Sequence, residues 1–435
     1  MLTALLALQI AVIVCLLWLV NRSGILSLFT MSSLYFLLIF PLRGIFVQHV
    51  NYGPVVPYKI IHSYELYTIM TILFSTIGYI SFLLAYIAGS KNRYITWTRH
   101  FENRQRYSDN RLRILCYCLL LLSSIFIISE YTKIGSISDF FLGMGDRVSE
   151  TPKLIVSVIS TNLLAFVIIM LIRKAKFIDR LCFFILAINL VLAALLVGSK
   201  GMLLNPLLVY IVYKFVVQKR KFSFFWFSIF CLIIGSTFII MNILRGDAVN
   251  YLADQGFISL FSVGAAPGAL LLILFDRFHA FDALFVSIVK FGDEYSSLLG
   301  EYYFKMFVGV IPRVLWENKP VTNYGGIFAD TYFAEYIGGL GISPALSILT
   351  EGYVNFHLLG ICMSGALYGF FLGNFEKRYG TNSRNFANIP YFYMLLYVIT
   401  LWESSLSGAF PILLQSLITA VLLHKLAITK KETTL

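Results

Sequence analysis

Charge is scarce in this sequence: Asp, Glu, Lys and Arg together make up 13% of 435 residues, while 59% are hydrophobic and 16% aromatic. A water-soluble surface on a chain of this length calls for about a quarter charged residues, so an ordinary soluble globule is excluded and lipid is the expected solvent. A disulfide framework and a zinc spacing are also missing, because Cys15, Cys116, Cys118, Cys182, Cys231 and Cys362 all fall within apolar stretches. The chain has no Asp-x-Asp pair and no cluster of metal-ligand residues. Residues 1–20 lack a basic leader and a small-residue cleavage site, which makes them a first span rather than a removed signal peptide. With no internal repeat, low-complexity run or soluble block, residues 1–435 read as a single polytopic membrane domain.

What is present is a series of apolar runs near 20 residues long. Without water to satisfy the backbone, such runs must be helices. Spans are expected near 2–20, 24–42, 66–90, 112–130, 153–172, 181–198, 202–217, 223–243, 355–373, 389–407 and 410–427. The fold class is therefore an all-α polytopic integral membrane protein of about eleven transmembrane helices, within a range of about 10–13. Lys and Arg cluster in alternate loops: seven between Lys91 and Arg113, four between Arg173 and Arg180 and four between Lys214 and Lys221. Those loops, the Lys377–Arg384 loop and the tail are expected in the cytoplasm, by the positive-inside rule. The net charge of +12 is thus orientation information, and no nucleic-acid partner is expected.

One long segment, 245–343, then falls on the opposite, periplasmic side. Within it, residues 257–275 (FISLFSVGAAPGALLLILF) are long enough to span, but Gly264, Pro267 and Gly268 interrupt them. A single extra span would invert the charge pattern downstream, so a broken, re-entrant or interfacial helix is expected there. Two short spans would keep the same parity.

Charged residues beside or within lipid are costly, and those on the outer side are the candidates for chemistry. Arg245 follows an apolar turn in NILRGD with Gly256 further on, although an arginine snorkelling at the interface explains it as well. Lys200 lies in GSKG, a glycine-flanked break between helices. Arg277 and His279 sit in DRFHAFD with Asp276 and Asp282, where a helix would bring the four onto neighbouring faces as either a site or a salt-bridged brace. In VGVIPRVLWENKP, two prolines and Trp316 hold Arg313 and Lys319 in a stiff stretch suited to gripping phosphate oxygens. Glu351 in SPALSILTEGYVNFHLLG stands ahead of a span that begins near His357, close to the membrane boundary, where pairing or catalysis must hold it.

Taken in order, these blocks resemble the bacterial oligosaccharide repeat-unit polymerases, the O-antigen polymerase group. The resemblance rests on GSKG at Lys200, RGD at Arg245, RF-x-x-x-D from Arg277 to Asp282, PR-x-x-W-x-x-KP from Pro312 to Pro320 and P-x6-EGYVNF from Pro344 to Phe356. It covers residues 195–375, and the last two blocks are the specific ones. Two positions depart from the pattern: lysine stands at 200 where the family often has arginine, and His357 stands near a frequent glycine.

The resemblance implies a glycosyltransferase at the periplasmic face of the bacterial inner membrane, with the C-terminus in the cytoplasm. It would move a growing glycan from undecaprenyl diphosphate to a lipid-linked repeat unit. No cofactor is expected. With no metal site evident, Arg245, Arg277, Arg313, Lys319 and Lys200 would bind the diphosphate, and Glu351, His279 or Asp282 would accept the acceptor hydroxyl's proton. Partners would be the undecaprenyl-diphosphate-linked oligosaccharides, the lipid bilayer and a chain-length regulator. An O-antigen ligase is the alternative within the same chemistry, and a lipid-linked oligosaccharide flippase is the alternative from another class.

Overall fold

The computed structural model describes residues 1–20, 27–49, 63–91, 106–107, 109–132, 176–197, 279–291, 295–311, 346–379 and 401–411, with 316, 318, 328, 413–414, 418 and 428–429. These residues are almost wholly helical, and the chain is an all-α membrane protein. Four stretches among them are long and apolar enough to cross a bilayer: Leu2–Leu19, Leu28–Gln48, Tyr64–Lys91 and Ile348–Lys377. The expected helix within 257–275 lies outside the described residues. Two compact units emerge, one from residues 1–92, 274–381 and 397–411 and the other from residues 93–273, 382–396 and 412–435.

In the first unit, α1 (Leu2–Val20) is followed by α2 (Leu28–Leu37), a π-helical turn Leu38–Leu42 and α3 (Arg43–His49). Ser27 caps α2 by accepting from the Thr30 amide at 3.0 Å. Pro41 sits inside the π turn. Proline cannot donate to the helical ladder, and a widened turn accommodates that loss without ending the helix. The stretch read as ending near residue 42 therefore continues through Arg43.

Helix α4 (Tyr64–Lys91) carries many hydroxyls, which would be costly in lipid if unpaired. Thr68, Thr71, Ser75 and Thr76 each donate to a carbonyl three or four residues back, so they remain compatible with a span. Phe29 stacks on Tyr86 and Phe36 packs on Tyr79, so α2 runs antiparallel to α4.

The last long element of this unit, α9 (Ile348–Tyr379), is two helices. Phe356 (φ −142°, ψ 25°) and His357 (φ 50°, ψ −136°) leave the helical region. A Cβ built on Gly360 would lie 1.9 Å from the carbonyl oxygen of Gly352, whereas eight residues along a straight helix would separate the two by about 12 Å. The chain therefore doubles back, and a short arm, 348–355, lies against a long arm, 358–379. Only glycine permits so close an approach.

The long arm packs on α4 through Gly365, Gly369 and Gly373, whose added Cβ atoms would fall 2.3, 2.0 and 2.3 Å from the carbonyl oxygens of Gly78, Phe82 and Tyr86. This small-xxx-small stripe lets two backbones touch, which is how helices associate where lipid removes the hydrophobic drive. Residue numbers rise together along both helices, so the two are parallel. Trp402, in a turn Leu401–Glu403, closes the centre: it is fully buried, meets Phe36, Phe82 and Tyr368 edge-on, and donates from Nε1 to Ser32 Oγ at 2.7 Å.

Two further helices of this unit, α7 (Ala280–Lys290) and α8 (Glu301–Gly309), belong to the segment expected outside the membrane. In the second unit α5 (Asp109–Thr132) pairs with α6 (Phe177–Val197). Asn189 bonds Ser124 at 2.6 Å and Tyr131 bonds the Leu192 carbonyl at 3.1 Å, again a parallel pair. A two-residue antiparallel pairing joins β1 (Arg106–Tyr107) to β2 (Ile428–Thr429).

Candidate functional site

Glu351 begins the second turn of the short arm and is completely buried. Leu349, two residues earlier, lies against Gly78, the middle of α4, and Tyr353 packs on Phe74 at 5.8 Å. The carboxylate therefore lies at the level of the centre of α4. Its oxygens accept the backbone amides of Leu406 and Ser407, the latter at 3.0 Å, where a helical run over 406–411 begins. A carboxylate at that point satisfies two amides that no carbonyl can reach and complements the helix dipole.

Around Glu351 the segment between α7 and α8 meets the short arm of α9. The amide of Leu298 donates to the Val354 carbonyl at 3.1 Å, and the amide of Gly300 donates to Asn355 Oδ1 at 2.9 Å. Asn355 in turn donates from Nδ2 to the Glu351 carbonyl at 2.8 Å. From α8, Tyr303 stacks on Phe356 with ring centroids 6.4 Å apart, and its hydroxyl bonds the side chain of Ser364. The EGYVNF stretch is thus the seat on which residues 298–303 rest.

The other described candidates form a second cluster. Asp282 is completely buried, with Arg43 Nε and Nη2 at 2.9 and 2.8 Å from its Oδ2 and His279 Nδ1 at 3.4 Å from the same oxygen. Burial pushes the Asp282 carboxyl up to about 6, against the pull of the Arg43 guanidinium beside it. The pairing ties α7 to Arg43, which lies within the stretch Leu28–Gln48, and His279 stands at the start of α7.

Sequence reasoning missed Arg43 as a partner, because an arginine after FPL at the end of an apolar run reads as an ordinary boundary residue. Glu376 was missed in the same way. It directly precedes the Lys377–Arg384 loop expected in the cytoplasm, yet it accepts from the amides of Leu28 and Phe29 at 3.2 and 3.3 Å and from the Tyr86 hydroxyl at 2.9 Å. In the second unit Asp179, ahead of the apolar part of α6, takes Arg113 Nε at 3.0 Å, Tyr117 at 2.6 Å and the Lys176 amide at 2.7 Å. Burial opposes its charge, but those donors outweigh it and hold its carboxyl below the usual range.

The structure therefore brings Glu351 together with Asn355, Tyr303 and Ser364, and Asp282 together with His279 and Arg43. Arg245, Arg277, Arg313, Lys319 and Lys200 lie outside the described residues. Among the described residues no three His, Cys, Asp or Glu side chains group as metal ligands. No family model, no curated protein and no solved structure matches this chain.

Proposed function

We propose that this chain is a surface-polysaccharide repeat-unit polymerase with about eleven spans. In the reaction, the bond between the donor's anomeric carbon and the undecaprenyl diphosphate oxygen breaks as the acceptor hydroxyl oxygen bonds to that carbon. The diphosphate leaves with the electron pair, stabilised by Arg245, Arg277, Arg313 and Lys319, and the hydroxyl proton passes to a base. The observation that carries this reading is the convergence at EGYVNF: the most polymerase-like described block is buried, polar and in direct contact with the segment between α7 and α8.

Helix directions support the topology that this activity needs. The charge-derived order requires the third span to run the same way as the span after His357, and the fourth the same way as the sixth. The parallel pairing of α4 with the long arm of α9, and of α5 with α6, is what that order demands. The transporter alternative also has one supporting observation, since the short arm and the run 406–411 are interrupted helices meeting near the centre of α4.

One assay separates the readings. Purified protein in vesicles, given undecaprenyl-diphosphate-linked repeat units, should yield a ladder of lengthening glycans, and Arg313→Ala or Arg245→Ala should stay in the membrane yet make none. Unchanged glycan length with units moved across the bilayer would replace the proposal with transport. Transfer only to a lipid A core acceptor would replace it with ligation.

A further inference from the structure

The reversal of α9 carries a cost that packing does not require of a histidine. His357 has φ 50° and ψ −136°, a region that side chains rarely adopt and glycine enters freely. The reversal itself is held by other contacts: Gly352 against Gly360, the Gly300 amide on Asn355 and Tyr303 on Phe356. Glycine at 357 would preserve all of them. The imidazole is exposed, standing edge-on to Tyr353 with centroids 5.3 Å apart.

Its place in the molecule is also specific. Leu349 lies against Gly78 and Tyr353 against Phe74, so the short arm climbs α4 toward the Tyr64 end. The reversal falls within about two turns of that end, directly above the Glu351–Ser364–Tyr303 cluster. Strain of this kind persists where a side chain is kept for what it does.

We infer that His357 is a binding residue, its imidazole contacting the polar head of the lipid-linked substrate at the outer mouth of the α9 hairpin. The inference deepens the proposed function and rests on it for the class of ligand. Glycine would relieve the backbone and lose the contact. Glutamine would keep the strain and lose the imidazole.

The test uses the full chain in detergent or nanodiscs, wild type against His357→Gly and His357→Gln, with thermal midpoints and binding measured by native mass spectrometry. The probes are undecaprenyl diphosphate and the undecaprenyl-diphosphate-linked oligosaccharide extracted from the source cells. His357→Gly should melt a few degrees above the wild type, roughly the shift expected when a left-handed position accepts glycine. His357→Gln should melt with the wild type. Both variants should bind the glycosylated lipid at least about tenfold more weakly, a loss of one directed hydrogen bond to a charged or polar group.

If undecaprenyl diphosphate alone weakens equally, the contact is to phosphate; if only the glycosylated lipid weakens, it is to sugar. Either result supports the inference. Wild-type affinity in either variant, or no gain in melting temperature for His357→Gly, overturns it. A wild type that binds the lipid but never lengthens it would overturn the polymerase reading and leave His357 as a binding residue, and a wild type that does not bind would overturn both.

Discussion

Two glutamates on the two arms of α9, Glu351 buried and Glu376 half-buried, perform the same local task in different settings. Glu376, near the end of the long arm, takes the first amides of α2 and the hydroxyl of Tyr86. Glu351, on the short arm, takes the first amides of the 406–411 run. Each is a carboxylate supplied from afar to a helix N-terminus that has too few acceptors of its own. The difference lies in the surroundings. Glu376 joins continuous helices, α2, α4 and the long arm, whereas Glu351 sits between two chain interruptions and close to a strained reversal, where the segment between α7 and α8 docks. An acid that caps a helix in such a bundle therefore does not by itself mark chemistry. Neighbouring breaks in the backbone and contact with the segment between α7 and α8 distinguish the candidate from the brace.

The widest gap between the two positions is expected from replacements that spare one acceptor oxygen. Glu351→Ala should be the most damaging single change, since two buried amides lose their acceptor at about 1–3 kcal/mol each. Fluorescence-detected size exclusion should show loss of the monodisperse peak, and a normal peak would mean that water reaches those amides. Glu351→Gln and Glu376→Gln keep a carbonyl acceptor and should both remain folded. If the Glu351 carboxylate takes the proton, glycan lengthening disappears in Glu351→Gln and survives in Glu376→Gln. Equal lengthening by the two variants would make Glu351 a brace as well.

Gly369→Ala acts on both sites through their common support, because its Cβ would meet the Phe82 carbonyl and push α4 from the long arm. A stability loss of about 1–3 kcal/mol is expected, read as a lower denaturation midpoint. No change there would mean that the two helices slide without cost. The smallest effect belongs to Tyr86→Phe, which removes one donor from Glu376 and leaves its two amide bonds, a loss of about 1 kcal/mol. A shift as large as that of Glu351→Ala would show that Glu376 depends on Tyr86 rather than on the helix terminus.

The broad architecture was legible because lipid imposes its own grammar on a chain. Long apolar runs around residues 2–20, 66–90 and 355–373 could only be helices, and the structure has helices at each of these places. The EGYVNF block stood out for its unusual residues. Its depth did not, because the reversal at Phe356–His357 depends on Gly352 meeting Gly360, a contact between residues that hydropathy reads as one continuous stretch. The left-handed backbone of His357 left no mark in the sequence, where the residue is one of six histidines.

Arg43 and Glu376 were hidden for a related reason. Each is an unremarkable charge at the end of an apolar run, and its meaning comes from a partner hundreds of residues away, Asp282 for one and the start of α2 for the other. Composition and hydropathy by themselves determined that this is an all-α membrane protein, since that property follows from transfer of each segment between water and lipid. Only the tertiary structure decided where its buried acids sit and which helix ends they cap, since a carboxylate in a bundle takes whatever donors the packing brings within about 3 Å.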